Sequence, residues 1–504
     1  MQLIATILEA SVDAALAAIG KLPSDLDGAE VRFDAFTEPL TDGGMNALRH
    51  SVPSLLIATR RSLPGRPQRH DPRFDRLALA SGFDLVDVEL TEALDLASLA
   101  DYADRVILSM HEFEGLPDFV SLHRRFIGSS CAHLKIAATP RTYAENAEAL
   151  VSLRAIAKSI GNGQSISVIG MGERGLYSRI ASPFLGSRFF FAAGSSAPAA
   201  PGQVPVRRAL EIYGDEAARR ACGTDDTVPI FAVVGNPAGH SVSPVIHNAL
   251  FRQRGIAAAY TIASIDSFAE ILLPFAAGTE LAPRGLSVTA PFKEEAFAFA
   301  DRGEAVMMQN ARACRSVNTL IRLVDPGSGE PRIFAENTDV DAFVSALQSV
   351  RNAGAAPRAA VIGAGGTARA ALVALRRVGA ETTVYNRTLE RAEAVGRELG
   401  AAAARLDELR NSKASIVINT LSGEAEAELP KHLLNPSALY IDVDYSGGRA
   451  RQIEEARAAG ATVIDGLAMV QAQAVRQNEL FISSLATSVG DGGRGSLCGR
   501  GEVP

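Results

Sequence analysis

The stretch Arg358-Ala-Ala-Val-Ile-Gly363-Ala-Gly365-Gly366-Thr-Ala368-Arg-Ala-Ala-Leu-Val-Ala-Leu375 reads as an apolar strand, a glycine turn of GxGxxA form and an amphipathic helix in direct succession. Glycines at such a turn let the backbone approach a pyrophosphate, and the helix N-terminus that follows offers free N–H groups and a positive dipole to the anion. Glycines alone would say little. Their place between a strand and a helix points to a dinucleotide-binding α/β fold. The rival reading is a tight strand–helix turn and nothing more. Gly363, Ala364, Gly365, Gly366, Thr367 and Ala368 are the candidate cofactor contacts.

The next strand, Thr382-Thr-Val-Tyr-Asn386-Arg387-Thr388, selects the cofactor. An acidic residue at this strand end would suit the ribose hydroxyls of NAD. Asn386, Arg387 and Thr388 stand there instead, and an Arg beside a hydroxyl suits a 2′-phosphate. NADP is expected. The alternative for Arg387 is a solvated helix start.

Upstream, a fresh strand–helix series starts at Pro229-Ile-Phe-Ala-Val-Val-Gly235 and runs to a boundary near 350–357, Val-Arg-Asn-Ala-Gly-Ala-Ala-Pro. Within it, Gly235-Asn-Pro-Ala-Gly-His240-Ser241-Val-Ser243-Pro244 leads into a helix. Hydroxyls at a helix N-terminus bind a carboxylate, and Ser243 as a cap is compatible with that. Thr289-Ala-Pro-Phe-Lys293, Ser316-Val-Asn318 and Glu336-Asn337-Thr338-Asp339 add one Lys, one Asp and a set of hydroxyls and amides. Such groups orient a polyhydroxylated acid and relay a proton to a carbonyl.

Further upstream, eight β-rich runs alternate with helical stretches: Leu3–Leu8, Glu30–Phe36, Ser54–Ala58, Leu85–Leu90, Arg105–Met110, His133–Ala137, Ser165–Gly170 and Arg188–Phe191. Eight strand–helix units in about 200 residues imply a closed (β/α)8 barrel over 1–215. Glu89, His111, Lys135 and Arg179 then fall at or just past strand ends, the face where such barrels gather catalytic groups. Residues 212–228 read as a helix end and a polar linker. The Gly-rich tail 487–504 is expected to be disordered.

The chain has 504 residues, 47% of them hydrophobic, and a net charge of −7. That size implies about three domains, and the acidic balance argues against a nucleic-acid surface. Cys131, Cys222, Cys314 and Cys498 are far apart, with no metal-ligand spacing, so neither a disulfide framework nor a metal site is expected. Gln2–Leu8 reads as a strand with no basic segment ahead of it, and no apolar run is long enough to span a bilayer. A soluble, cytoplasmic enzyme acting on small molecules is expected.

Six Lys stand against 44 Arg. Lys135 closes the apolar run that starts at Cys131, and Lys293 closes the one that starts at Leu286. Arg keeps its proton, whereas a partly buried Lys can lose it and act as nucleophile or acid/base. A lysine at each apolar strand end suggests two active sites, one per half. The bland alternative is two snorkelling lysines.

Residues 229–485 resemble shikimate dehydrogenase. The matching motifs are Gly235–Pro244, Val288–Lys293, Val317–Thr319, Asn337–Asp339, Gly363–Ala370, Asn386–Thr388 and Gly466-Leu-Ala-Met469-Val-Gln-Ala-Gln473. The resemblance implies Lys293 and Asp339 as the catalytic pair, with Ser241 and Ser243 on the substrate carboxylate. It implies Thr289, Asn318 and Gln473 on ring hydroxyls, and Gly466 and Met469 near the cofactor. Ser287 stands where the family usually has Asn, and Glu336 where Asp is usual.

Residues 1 to about 212 resemble type I 3-dehydroquinate dehydratase. The matching pieces are Glu30–Asp34, Asp87-Val-Glu89, Ser109-Met-His111, Leu134-Lys135, Gly172–Arg179 and Gly202-Gln203. The resemblance implies Lys135 as the Schiff-base lysine, His111 as general base and acid, and Glu89 as its support. Glu30, Arg32, Arg60, Arg179 and Gln203 would bind substrate, with Arg60 and Arg61 ambiguous as carboxylate ligands. The residues after Arg61 read Ser-Leu-Pro-Gly-Arg-Pro where the family has an acidic residue and two glycines, and Ala199 stands where Ser is frequent.

The chemistry fits such a set. An iminium formed by a neutral Lys acidifies the adjacent C–H, and apolar surroundings of Lys135 would favour the neutral amine. An unperturbed His titrates near neutral pH, so His111 is expected to serve as base and then acid. His133, on the same side of its strand as Lys135, is a weaker rival.

The fold expected is α/β: an N-terminal (β/α)8 barrel over 1–215, then a shikimate-dehydrogenase-like substrate domain over 229–350 with returning helices 465–486. A Rossmann NADP-binding domain over 351–464 completes it. The function expected is bifunctional: 3-dehydroquinate to 3-dehydroshikimate, then NADPH-dependent reduction to shikimate. The alternatives are a quinate dehydrogenase using NAD and a barrel that only binds ligand.

Overall fold

The computed structural model describes residues 1–486 except 53, 62–69, 93, 162, 223–227, 325–329, 349–355, 422–428 and 446. The tail 487–504, the residues after Arg61 and most of the 350–357 boundary lie outside the described residues.

Eight parallel strands form the first sheet: β1 (Gln2–Ile7), β2 (Gly28–Arg32), β3 (Leu55–Thr59), β4 (Leu85–Glu89), β5 (Val106–Glu112), β6 (His133–Ala138), β7 (Ser165–Gly170) and β8 (Phe189–Ala193), in the order β7-β6-β5-β4-β3-β2-β1-β8. Both faces of each strand are buried. Outward residues such as Leu3, Val31, Leu56, Val86 and Leu108 pack under the helices, while Ile4, Ile57, Ile107, Ile169 and Phe189 fill the interior. That two-sided burial is why these runs are nearly continuous in apolar residues. The seam between β7 and β8 is closed by few bonds. Arg188 N–H donates to the Ile166 carbonyl at 2.8 Å, Ser167 Oγ accepts the Phe189 N–H at 2.8 Å, and Ser187 Oγ accepts the Val168 N–H at 3.0 Å. The result is a near-closed barrel.

Two elements differ from the sequence reading. The run Glu30–Phe36 is a strand only to Arg32, and Phe33–Ala35 is a 3₁₀ turn that brings Asp34 back onto the Arg32 guanidinium. The stretch read as linker contains a helix, Glu216–Ala221. Its Arg219 is buried and donates to Asp27 Oδ2 at 3.0 Å and to the Gly214 and Asp25 carbonyls, fixing this helix to the barrel.

A second, mixed sheet contains β9 (Ile230–Gly235), β10 (Ala259–Ser264), β11 (Gly285–Val288), β12 (Val306–Met307), β13 (Thr319–Val324) and β14 (Pro331–Glu336), in the order β10-β9-β11-β13-β14-β12. The last described helix, Gly466–Ala486, returns to it and sets the Phe481 ring 4.8 Å from that of Phe231.

The third sheet is wholly parallel: β15 (Arg358–Ile362), β16 (Glu381–Asn386), β17 (Ala402–Arg405), β18 (Ile416–Asn419), β19 (Leu439–Asp442) and β20 (Thr462–Ile464), in the order β17-β16-β15-β18-β19-β20. This is the dinucleotide-binding order, with its switch point between β15 and β18. No helix among the described residues is long and apolar enough to cross a membrane.

Candidate active sites

Strand parity decides what faces the barrel interior, because side chains alternate in and out along a strand. Glu30 and Arg32, Asp87 and Glu89, Ser109 and His111, and Lys135 and Ala137 share the inward parity. Most of them line a cavity of about 680 Å³ together with Arg61, Phe113, Met171, Arg179, Phe191 and Gln203. Lys135 is the third residue of β6, inside the strand rather than at its end. It is 3% exposed. Its Nζ lies 2.9 Å from both Glu30 Oε1 and Asp87 Oδ2, and 3.7 Å from the centre of the Phe191 ring.

This corrects the expected apolar setting of Lys135: two carboxylates hold the ammonium. Burial opposes the charge on Glu30 and Asp87, but the Lys135 cation beside them keeps both carboxyls well below their usual range. Further donors satisfy them. Thr6 and Thr59 hydroxyls donate to Glu30 at 2.9 Å, and Ser109 donates to Asp87 Oδ1 at 2.5 Å.

His111 stands above this cluster near the end of β5, its Nδ1 3.5 Å from Glu89 Oε1. The Arg61 guanidinium lies against the ring. Burial, and then the Arg61 cation, lower the imidazole to about 4 against the opposing pull of Glu89. Arg61, not Arg60, enters the site. Thr59 points inward to Glu30, so Arg60 faces out, where it meets Asp71 at 3.6 Å with 42% of its side chain exposed. Arg61 returns to the inward parity with 14% exposed. His133 is below Lys135, bonded to Ser165 Oγ at 2.7 Å and tilted against Phe189, away from the cavity lining.

Arg32 is held by both oxygens of Asp34, at 2.9 and 2.8 Å. Arg179 is on the helix Leu176–Ala181, not at a strand end, and its Nε reaches back to the Gly170 carbonyl at 2.6 Å. It is 3% exposed, and among the described residues no carboxylate pairs with it. Burial lowers it to about 10. A buried cation facing a cavity without a counter-ion is a receptor for an anion. Gln203 Oε1 accepts the Ala199 N–H at 2.7 Å, and its Nε2 donates to Thr6 Oγ1 at 3.1 Å. The sequence reading gave Asp87 and Asp34 no role and left Arg61 ambiguous with Arg60; alternation from Glu89 and Thr59 would have found Asp87 and chosen Arg61.

The second cavity, about 650 Å³, is lined by Ser241, Ser243, Ser287, Thr289, Lys293, Asn318, Asp339, Gly365, Gly366, Thr367, Met469 and Gln473 among others. Lys293 begins the helix Lys293–Phe299, one short loop beyond β11. Its Nζ donates to Asp339 Oδ2 at 2.6 Å and Thr367 Oγ1 at 3.1 Å. Asn318 Nδ2 holds the other Asp339 oxygen at 2.9 Å, and Thr338 Oγ1 donates to Gln473 Oε1 at 3.0 Å. Both departures from the family pattern are absorbed locally. Ser287 Oγ accepts from Tyr260 and donates to Gln477, each at 2.5 Å. Glu336 accepts the Ala311 N–H at 3.0 Å near the start of the helix Gln309–Cys314.

The glycine turn behaves as a phosphate cradle would. Gly363 has φ +106°, and a Cβ there would meet Thr420 Oγ1 at 2.5 Å. Gly365 faces open space, and a Cβ on Gly366 would meet Ser316 Oγ at 2.6 Å and Lys293 Cδ at 3.1 Å. The helix Gly366–Arg377 therefore starts against Lys293. Ala368 is wholly buried in the core, so it packs helix on sheet rather than lining the cavity; Ala364 and Gly466 are likewise absent from the lining. A Cβ on Gly466 would meet the Asp444 carbonyl oxygen at 2.4 Å, which keeps this position free of a side chain. Arg387 and Thr388 are exposed just past β16, and the Asn386 amide donates to the Thr388 carbonyl at 2.9 Å. Among the described residues no group of three His, Cys, Asp or Glu is placed to hold a metal ion.

Three family models match in succession: Type I 3-dehydroquinase over residues 3–218, Shikimate dehydrogenase substrate binding domain over 233–320, and Shikimate / quinate 5-dehydrogenase over 346–432. The chain is 30% identical over 436 residues to the chloroplastic bifunctional 3-dehydroquinate dehydratase/shikimate dehydrogenase of Arabidopsis thaliana, covering 81% of this chain and 68% of that one. It is 27% identical over 405 residues to shikimate biosynthesis protein AroDE of Chlamydia pneumoniae, covering 80% and 79%. The shikimate dehydrogenase (NADP(+)) of Hyphomonas neptunium is 36% identical over 252 residues, covering 49% of this chain and 88% of its own. A likeness that runs through the barrel and on through both later sheets settles the kinship: this chain belongs to the family of bifunctional 3-dehydroquinate dehydratase/shikimate dehydrogenases.

Proposed function

We propose that residues 1–215 dehydrate 3-dehydroquinate to 3-dehydroshikimate. Residues 229–350, the helix segment 465–486 and the domain 351–464 then reduce that product to shikimate with NADPH. The observation that carries the reading is the buried Lys135, set between two carboxylates and beneath His111, in a cavity that also holds Arg179, which no carboxylate among the described residues pairs with.

The dehydratase chemistry follows from that cluster. Lys135 gives a proton to Glu30 or Asp87, each 2.9 Å away, and its amine adds to the ring ketone. Loss of water gives an iminium, which makes the neighbouring C–H acidic. His111, neutral at physiological pH, takes that proton and returns it to the departing hydroxyl; hydrolysis of the iminium restores Lys135. Arg179 receives the substrate carboxylate. Arg61 and Gln203 line the rest, and Arg32 is occupied by Asp34. Borohydride added during turnover should fix the reduced substrate on the Lys135 peptide. No adduct, or an adduct that persists in Lys135→Ala, refutes the Schiff base.

In the second cavity, the cofactor supplies hydride to the ring ketone when bound. Lys293 donates the proton to the ketone oxygen, and Asp339 with Asn318 fixes its direction. Ser241 and Ser243 take the carboxylate, and Thr289, Asn318 and Gln473 the hydroxyls. Gly363, Gly365 and the start of the helix Gly366–Arg377 would hold the pyrophosphate, and Arg387 and Thr388 the 2′-phosphate. Cys131, Cys222 and Cys314 are free thiols, which favours a reducing compartment such as the cytoplasm.

A further inference from the structure

The loop after β7 serves both halves of the molecule. Met171 and Arg179 at its two sides line the dehydratase cavity. Glu173, between them, turns away from the barrel: its Oε1 accepts the Ala238 N–H at 3.2 Å, the Gly239 N–H at 3.1 Å and the Ser264 hydroxyl at 2.8 Å. A Cβ on Gly239 would sit 3.2 Å from Glu173 Cγ and Oε1, so the glycine lets the carboxylate close on the backbone. Ala238 and Gly239 belong to the loop that presents Asn236, His240 and Ser241 to the dehydrogenase cavity.

A second barrel side chain grips the same loop. Arg208, on the helix Val206–Tyr213 that follows Gln203, donates to the Ser241 carbonyl. Beneath them the Thr261 hydroxyl of β10 donates to the Leu176 carbonyl at 3.2 Å and the Tyr177 carbonyl at 2.9 Å. An incidental domain contact would satisfy few polar groups. Here one carboxylate oxygen collects three donors, two of them consecutive peptide N–H groups. Burial opposes the charge on Glu173, yet the Ser264 hydroxyl and the two amides hold its carboxyl below the usual range.

We infer that Glu173 and Arg208 are positioning residues for the dehydrogenase: side chains of the dehydratase barrel fix the loop that offers Ser241 and Ser243 to the substrate. The inference rests on the reading of the second cavity as the dehydrogenase site. Substrate affinity in the second reaction then depends on the half that performs the first.

The test uses the full chain with Glu173→Ala, Arg208→Ala and Glu173→Gln, reading KM and kcat for 3-dehydroshikimate and hydrogen exchange of the 236–242 backbone. Borohydride trapping at Lys135 verifies that the barrel is folded. Each alanine variant should raise KM by about ten-fold with kcat within about two-fold, and should speed loop exchange. Glu173→Gln keeps an acceptor oxygen and should stay within about three-fold of wild type. Unchanged KM and exchange in both alanine variants would overturn the inference. A wild-type chain that does not reduce 3-dehydroshikimate would overturn the functional reading instead, and loop exchange would still decide whether the barrel holds the loop.

Discussion

Lys135 Nζ donates to Asp87 Oδ2 at 2.9 Å across the intervening strand β5, whose Ser109 hydroxyl donates to the other oxygen of the same carboxylate. In the Schiff-base mechanism proposed for Lys135, Asp87 is placed to take the proton that the ammonium gives up. Asp87→Asn should slow borohydride-dependent inactivation in the presence of 3-dehydroquinate by about 10²-fold. An unchanged rate would leave Glu30 as the sole acceptor.

The pH profile of the dehydratase should carry the mark of Arg61. His111 acts as a base only when neutral, and its imidazole is lowered to about 4. Below that pH the ring gains a proton and kcat/KM falls; between that point and neutrality the acid limb should be flat. Arg61→Gln removes a cation that disfavours imidazolium, so the limb should move to higher pH. His111→Ala should lower kcat by about 10²–10⁴-fold. A pH–rate series on the three proteins checks the sign. A limb that stays in place in Arg61→Gln would mean that burial alone sets it.

Lys293→Ala should abolish most reduction of 3-dehydroshikimate, by about 10²–10⁴-fold, while leaving dehydration at the wild-type rate. The two lysines lie in separate cavities with no shared lining residue, so their losses should be independent. Assays of each half-reaction on the same preparation measure this directly.

Arg387→Ala should raise KM for NADP by about ten-fold or more and leave KM for NAD nearly unchanged, because only the former carries the phosphate that a guanidinium pairs with. Equal effects on both cofactors would mean that Arg387 supports the turn rather than the 2′-phosphate.

The barrel and the dinucleotide fold were legible because their strands are two-sidedly apolar and their turns carry glycine at positions such as Gly363, where φ is +106°. Lys135, His111, Lys293 and Asp339 stood out as chemistry-bearing types within apolar or motif settings. Arg61 and Asp87 were less visible. Choosing Arg61 over Arg60 needs the inward parity of Thr59, and Asp87 reads as an ordinary strand residue until Lys135 is seen to face it. Leu134 and Ile136, which flank Lys135 in sequence, misled for the same reason: they point outward, while the carboxylates on β2 and β4 point in. Glu173 was invisible, because its partners Ala238, Gly239 and Ser264 are distant in the chain and become neighbours only when the halves pack.

The most direct test of a two-reaction chain is a coupled assay: the purified protein with 3-dehydroquinate and NADPH, following loss of NADPH. Steady loss is expected in wild type, none in Lys135→Ala, and restoration in that variant by added 3-dehydroshikimate. Loss from 3-dehydroshikimate but none from 3-dehydroquinate in wild type would contradict it, leaving a working dehydrogenase joined to a silent barrel.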